Sequence, residues 1–428
     1  MKPLPWLSAC VIAGSLAGGP VWAQPAASPE GSQAALPSLS GPASGTAAGS
    51  VTLRAALDAA WQRAVAARES EGQRRRADAD RATAGSFWAA PPSLELSHRN
   101  DRLQSNAGRR ETEIGVAVPL WLPGQRAARA GTADATAAQA LAAEQVARLR
   151  LAGELREAAW QIAAAQAELA QADTQAQGLK QLADDVERRV RAGDLARADA
   201  LAAQAEQLAA AALQSEVRQR MQAARTRWTL LTGLTAAPDL MAAANDATPT
   251  SAVPHPELQL ASQSTEVARQ RVELMRRSRR DAPELTVGVR QDVPGRAESS
   301  QGSLVVGLRL PFGTDDRNRP LEAAALSELD VAQTHEQRLR ERVDSDTAAA
   351  RDALRAAQAQ LDAETTRARL LRERAALIDK SYRAGETPLP DLLRALAAAA
   401  QADSAAARQT AALGLARARL QQTLGLLP

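Results

Sequence analysis

Val190-Arg191-Ala192-Gly193 returns as Tyr382-Arg383-Ala384-Gly385, with the two glycines 192 positions apart (385 − 193). The same offset relates Pro119 to Pro311, Asp199 to Asp391, and Gly233-Leu234 to Gly425-Leu426. Pro92-Ser93-Leu94, followed by Arg99 and Asp101, matches Pro283-Glu284-Leu285, followed by Arg290 and Asp292, at an offset of 191. A drift of one residue is what a single loop insertion or deletion leaves. An Ala- and Arg-rich chain aligns with itself in many frames, but these matches fall on Pro, Gly and Asp and keep their order. The chain therefore reads as two tandem copies of one unit.

Each copy has the same grammar: a helix, a short extended pair, a long helix, a Gly turn and a returning helix. The first helix is expected over about 52–88, and over 256–280 in the second copy. The repeats are expected at 51–240 and 255–428, joined by a linker at 241–254, with strands about 92–101 and 111–121, then 283–292 and 302–312. Period-two alternation marks the strands: Leu304, Val306, Leu308, Leu310 and Phe312 lie on one side, as do Ile114, Val116, Val118 and Leu120, while Leu285, Val287 and Val289 repeat the pattern. Strands of about ten residues match the ~9–11 that a tilted strand needs to cross a bilayer. Aromatic side chains at the strand ends are few, Phe87, Trp88, Trp121 and Phe312, so soluble hairpins packed on the helices stand as the alternative.

The helices are Ala-rich, with larger apolar residues at heptad-like spacing: Leu155, Ile162 and Leu169; Leu201 and Leu208; Leu354 and Leu361; Leu370 and Leu377. A single helix over 125–190 would extend about 100 Å at ~1.5 Å per residue, far longer than a globular domain needs.

Residues 1–23, with Lys2, an apolar stretch from Leu7 to Val21 and the ending Val21-Trp22-Ala23, read as a cleavable secretory signal peptide. Residues 24–50 form a Pro/Ala/Gly/Ser tract without hydrophobic periodicity, expected to be flexible. The one cysteine, Cys10, falls inside the signal, so the mature chain has no thiol. Lipidation at Cys10 through Leu7-Ser8-Ala9-Cys10 is disfavoured, because almost no hydrophobic region precedes it. Beyond Ala23 no run approaches the ~20 apolar residues of a spanning helix, so any membrane crossing is by β-strands.

The formal net charge is +3, arginines alternate with acids along the helices, and aromatics are 2% of the chain, which argues against nucleic acid as a partner. His98, His255 and His335 are scattered. No metal site, phosphate-binding loop or nucleophile motif appears, so no enzyme activity and no cofactor are expected.

Four strands cannot close a transmembrane barrel, which starts at about eight. Two chains would give a barrel filled by its own side chains; three, with twelve strands, is the smallest number that encloses water. Long helices on one side of such a barrel continue it as a tube, because their amphipathic faces must bury against one another.

These residues resemble the TolC-type outer-membrane efflux family over nearly the whole span from Val51 to Leu427. The resemblance implies a mainly α chain with a small β part, forming a homotrimer whose 12-stranded outer-membrane barrel continues as a periplasmic α-helical tunnel. It implies passive export, with a periplasmic adaptor protein, an inner-membrane efflux transporter and outer-membrane lipid as partners. The turns with Arg191, Ala192 and Gly193, and with Arg383, Ala384 and Gly385, would be the tips that meet the adaptor. Asp391 matches an acid that rings the tunnel entrance in the family, while the family's second acid, three residues on, is Arg394 here; Asp199 is the equivalent in the first copy. Helix capping is the alternative role for both aspartates. Within the family the chain is most similar to members that serve heavy-metal pumps of the resistance-nodulation-division type, which implies metal resistance. The exit duct of a type I protein secretion system and a non-pore periplasmic coiled-coil scaffold are the competing functions.

Overall fold

The computed structural model describes residues 50–103, 105–240, 254–312 and 315–428. The signal-peptide reading with Cys10, and nearly all of the Pro/Ala/Gly/Ser tract and the linker, lie outside the described residues.

The chain is mainly helical with one small sheet. The order is β1 (Val51–Thr52), α1 (Leu53–Arg63), α2 (Val65–Ala84), β2 (Ser93–Asn100), β3 (Arg110–Pro119), α3 (Gln125–Ala192) and α4 (Arg197–Thr232). It continues with β4 (Pro238–Asp239), α5 (Pro256–Arg277), β5 (Glu284–Val293), β6 (Gln301–Arg309), α6 (Asp315–Arg383) and α7 (Leu389–Thr423). Helices α3 and α6 contain 68 and 69 residues, each about 100 Å long. Among the described residues, no helix is long and apolar enough to cross a membrane.

The first helix is not continuous. Ala64 takes an extended conformation (φ −68°, ψ 136°) and separates α1 from α2. The break serves two packing partners: α1 buries Leu53, Ala56, Leu57 and Ala60 against α3 and α4, whereas α2 runs along α3 alone, tied to it by Arg74–Glu144 and by Arg81–Asp134. Helix α2 stops at Ala84, whose successor Gly85 caps Arg81, and α5 stops at Arg277, both short of the expected ends at 88 and 280.

Two long hairpins, α3 with α4 and α6 with α7, lie side by side through contacts of α3 with α7. Leu155 and Ile162 of α3, Met221 and Trp228 of α4, and Leu53 and Leu57 of α1 form the largest core. Arg156, 2% exposed, pins the seam between hairpins: its guanidinium donates to Gln422 Oε1 (2.6 Å) and to the Leu426 carbonyl (2.8 Å), and Gln422 donates to the Leu149 carbonyl (2.8 Å). The heptad leucines divide. Leu155 and Ile162 are buried within the chain, but Leu201 and Leu208 on α4, and Leu370 and Leu377 on α6, are exposed and leave the two flanking helices with unsatisfied apolar stripes.

Candidate functional site

Two places carry the expected chemistry: the sheet at one end of the long helices and the turns at the other. The sheet is antiparallel with strand order β2-β3-β5-β6, so the hairpins of the two copies join through β3 and β5, leaving β2 and β6 as open edges. Its register sorts the side chains. Leu94, Val116, Val287 and Val306 share one row; Leu96, Ile114, Val289 and Leu304 share the next; and Val118, Leu285 and Leu308 share a third, all on one face. Alternation sends the others to the opposite face: Ser93, Ala117, Thr286 and Gly307; Glu95, Gly115, Gly288 and Val305; Ser97, Glu113, Arg290 and Ser303; Arg99, Glu111, Asp292 and Gln301.

The apolar face is bare. Leu94, Leu96, Leu304 and Val306 are 63–74% exposed, and Leu310 and Phe312 prolong the band. Leaving about ten such side chains in water is unfavourable by on the order of 10–20 kcal/mol, as large as the whole stability of a domain, so this face requires an apolar cover. The other face is polar and made largely of small residues. Its charges are internally paired in part: Arg290 and Arg99 both engage Glu111, and Arg309 lies 3.8 Å from Glu284.

At the far end, Gly193 (φ 91°) and Gly385 (φ 80°) close α3 and α6 in left-handed conformations. A side chain would meet no neighbour at either position, so glycine is selected by the backbone alone, at about 1–2 kcal/mol over any other residue. The schemes are the same: Asp194 N–H donates to the Arg189 carbonyl (2.9 Å) and Glu386 N–H to the Ser381 carbonyl (3.0 Å). Arg191, Ala192, Arg383 and Ala384 belong to the last helical turns and the tips, with Arg383 paired to Asp379 (2.8 Å). Both tips share one core, in which Val186 and Ala203 of the first copy pack on Tyr382, Leu389 and Leu392 of the second.

The two aspartates that occupy equivalent positions differ. Asp199 accepts the Ala196 N–H at 3.3 Å and so caps α4. Asp391 instead pairs with Arg394 at 2.9 Å, and Arg394 Nε also donates to the Pro390 carbonyl. Tyr382 was not singled out by the sequence reading. It is 5% exposed, carries Arg189 over its ring (5.4 Å), and its hydroxyl finds no hydrogen-bond partner among the described residues. Burial pushes its phenol up from the usual value. The signal for it was present in sequence, since it is the one tyrosine of the chain and stands in the tip motif. Beside it, between α3 and the α6–α7 hairpin, lies a cavity of about 680 Å³ lined by Leu182, Asp185, Arg189, Leu392 and Leu396.

The histidines lie apart: His98 contacts Thr112 Oγ1 (2.9 Å), His255 caps α5, and His335 is exposed on α6. No group of three or more His, Cys, Asp or Glu that could hold a metal ion occurs among the described residues.

No family model and no curated protein matches this sequence. Solved structures do. The outer membrane protein VceC from Vibrio cholerae superposes with a TM-score of 0.68 at 16% identity, covering 87% of this chain and 96% of that one. The CmeC outer membrane channel of Campylobacter jejuni gives 0.67 at 13%, covering 87% and 85%. CusC, described for its folding and transmembrane channel formation, gives 0.70 at 15%, covering 88% and 92%. The fold is that of the TolC-type outer-membrane channels. The backbone course is shared with those channel proteins over most of both chains, at identities where little sequence remains in common.

Proposed function

We propose that this chain is the outer-membrane channel subunit of a tripartite efflux system, not an enzyme, and that it exports substrate passively. The observation that carries the reading is the four-stranded sheet: one face apolar and uncovered, the other polar and lined by small side chains, both edges open, and about 100 Å of helix on one side only. A bilayer covers the apolar face. Edge pairing of β2 with β6 of a second copy satisfies the open backbone groups, and three copies make the twelve-stranded barrel whose interior holds water. The exposed leucines of α4 and α6 support the same side-by-side association in the helices: Leu201 and Leu208 of one subunit bury against Leu370 and Leu377 of the next, continuing the barrel as a periplasmic tunnel.

The tips at Gly193 and Gly385 are the proposed contact with a periplasmic adaptor, itself bound to an inner-membrane pump. The Asp391–Arg394 pair narrows the entrance, and the cavity beside Tyr382 gives the α6–α7 hairpin room to swing outward when it opens. Heavy-metal ions are the proposed cargo, by resemblance.

Cell fractionation and planar-bilayer recording test the reading. The protein is expected in the outer membrane as a trimer with stepwise ion conductance, and Asp391→Ala raises that conductance. Recovery from the soluble periplasm as a monomer would refute the channel. A deletion strain that keeps its tolerance to metal salts but loses a secreted protein would refute the cargo and leave the duct.

A further inference from the structure

The sheet ends on its helix side in a concentration of arginine that the channel reading does not use. Arg276-Arg277-Ser278-Arg279-Arg280 joins α5 to β5. Two other junctions meet it there. Gln125 Nε2 donates to Ser278 Oγ (3.1 Å), Arg277 lies against Gly124, and the Leu120 N–H donates to the Pro283 carbonyl (2.7 Å). Arg126 donates to the Gly85 carbonyl (2.6 Å), and Trp121 Nε1 to the Ser86 carbonyl (3.2 Å), beside the edge-to-face pair Phe87–Trp88 at 4.5 Å. Aromatic rings and guanidinium groups therefore stand at one level, just past the last apolar row.

Acids neutralise only part of this charge. Arg276 pairs with Glu322 (3.4 Å) and Arg277 with Glu273 (2.8 Å). Arg126, Arg129 and Arg280 are exposed and pair with no carboxylate among the described residues; Arg126 rests on a carbonyl, and Arg129 sits 5.8 Å from the centroid of the Trp121 ring. Such a set is complementary to phosphate: planar donors, held by neutral partners, with an indole next to them at the depth where aromatic rings sit in a bilayer.

We propose that this level is an arginine collar, centred on Arg126, Arg129 and Arg280, that binds the headgroups of anionic phospholipids in the adjoining leaflet. The proposal rests on the membrane-spanning reading of the sheet. Continuity decides the occupant: the collar borders the apolar band, so a phosphate bound there has its acyl chains against Leu308, Leu310 and Phe312. An arginine at a charged membrane surface favours an anionic lipid by about fivefold, and the preference falls with salt.

The test uses the purified full chain in bilayers of brominated phosphatidylcholine, which quench tryptophan at the protein–lipid boundary. Unbrominated phosphatidylglycerol is expected to relieve the quenching about fivefold more effectively than unbrominated phosphatidylcholine at low salt. The preference disappears in the triple variant Arg126→Gln, Arg129→Gln, Arg280→Gln and survives in the corresponding Arg→Lys triple variant, which keeps the charge. Equal relief by both lipids in the unmodified protein, or an undiminished preference in the glutamine variant, overturns the collar. So does loss of the preference in soluble glycerol phosphate, which would mark a free-phosphate site. Absence of any quenching by brominated lipid would sink the membrane reading itself, and the collar with it.

Discussion

Gly414 of α7 leaves room for the Trp160 indole of α3 across the seam between the two copies, and changing the pair gives a signed test of how the hairpins are held together. A Cβ at position 414 of α7 would overlap the Trp160 indole of α3. Two effects compete in Gly414→Ala. Alanine in a helix interior is better than glycine by about 1 kcal/mol. Forcing the indole aside in a packed seam costs up to about 3 kcal/mol, so a net loss of about 2 kcal/mol is expected. Trp160→Leu removes the obstruction, and in that background Gly414→Ala should stabilise by about 1 kcal/mol, a coupling of about 3 kcal/mol. Urea unfolding of the solubilised protein, followed by helical circular dichroism, measures all four corners of the cycle. Effects of one sign in both backgrounds, additive within about 0.5 kcal/mol, would refute the contact and the α3–α7 seam built on it.

The buried Tyr382 hydroxyl is unpaired, so Tyr382→Phe should be neutral or stabilising by up to about 1 kcal/mol. Because burial raises the phenol above its unfolded value of about 10, stability is intact below that pH and lost as pH climbs through the folded value; the phenylalanine variant escapes this loss. With a single tyrosine in the chain, the tyrosinate absorbance titration reports this group alone. His255 has the opposite sense. Its Nδ1 accepts the Glu257 N–H (3.2 Å), which requires the neutral ring, and burial lowers its basicity. The stability it contributes is present above pH about 6.5 and lost as pH falls through the lower folded value. His255→Asn keeps the cap and should flatten the acid limb of a thermal-midpoint profile. Arg156→Met removes two charge-assisted hydrogen bonds, and should cost about 3 kcal/mol by the urea assay.

What the sequence revealed was what local rules decide. The left-handed tips need glycine, so Gly193 and Gly385 were visible, and a two-faced strand alternates, so Val287–Val289 and Leu304–Leu310 were visible. The long helix read over 125–190 emerges as Gln125–Ala192 because an Ala-rich run contains nothing to stop it before the glycine. The misses are non-local. Ala64 is a good helix former, and the break there falls where packing on both α3 and α4 gives way to packing on α3 alone. Heptad spacing marked Leu201, Leu208, Leu370 and Leu377 as packing residues, but spacing is silent on whether a partner lies within the chain, and all four are exposed. Arg156 and Glu144 look like solvated charges in an alternating run. Their burial follows from partners more than 60 residues away, Gln422 for one and Arg74 for the other, the nearer 70 apart.

The divergence of the duplicated aspartates has a covalent origin. Each sits at the third position of the helix that follows its tip, where a carboxylate reaches back to the N–H of the capping residue. In the first copy that residue is Ala196, whose N–H is available, and Asp199 is consumed in capping. In the second it is Pro388, which has no N–H to give, so the carboxylate of Asp391 cannot close the same ring. It turns to Arg394, one helical turn along. A single proline thus separates an acid that caps its helix from one that pairs with an arginine on the next turn. The same reasoning ranks the pair: exchanging Asp199 should alter helix stability and not conductance, whereas exchanging Asp391 should do the reverse.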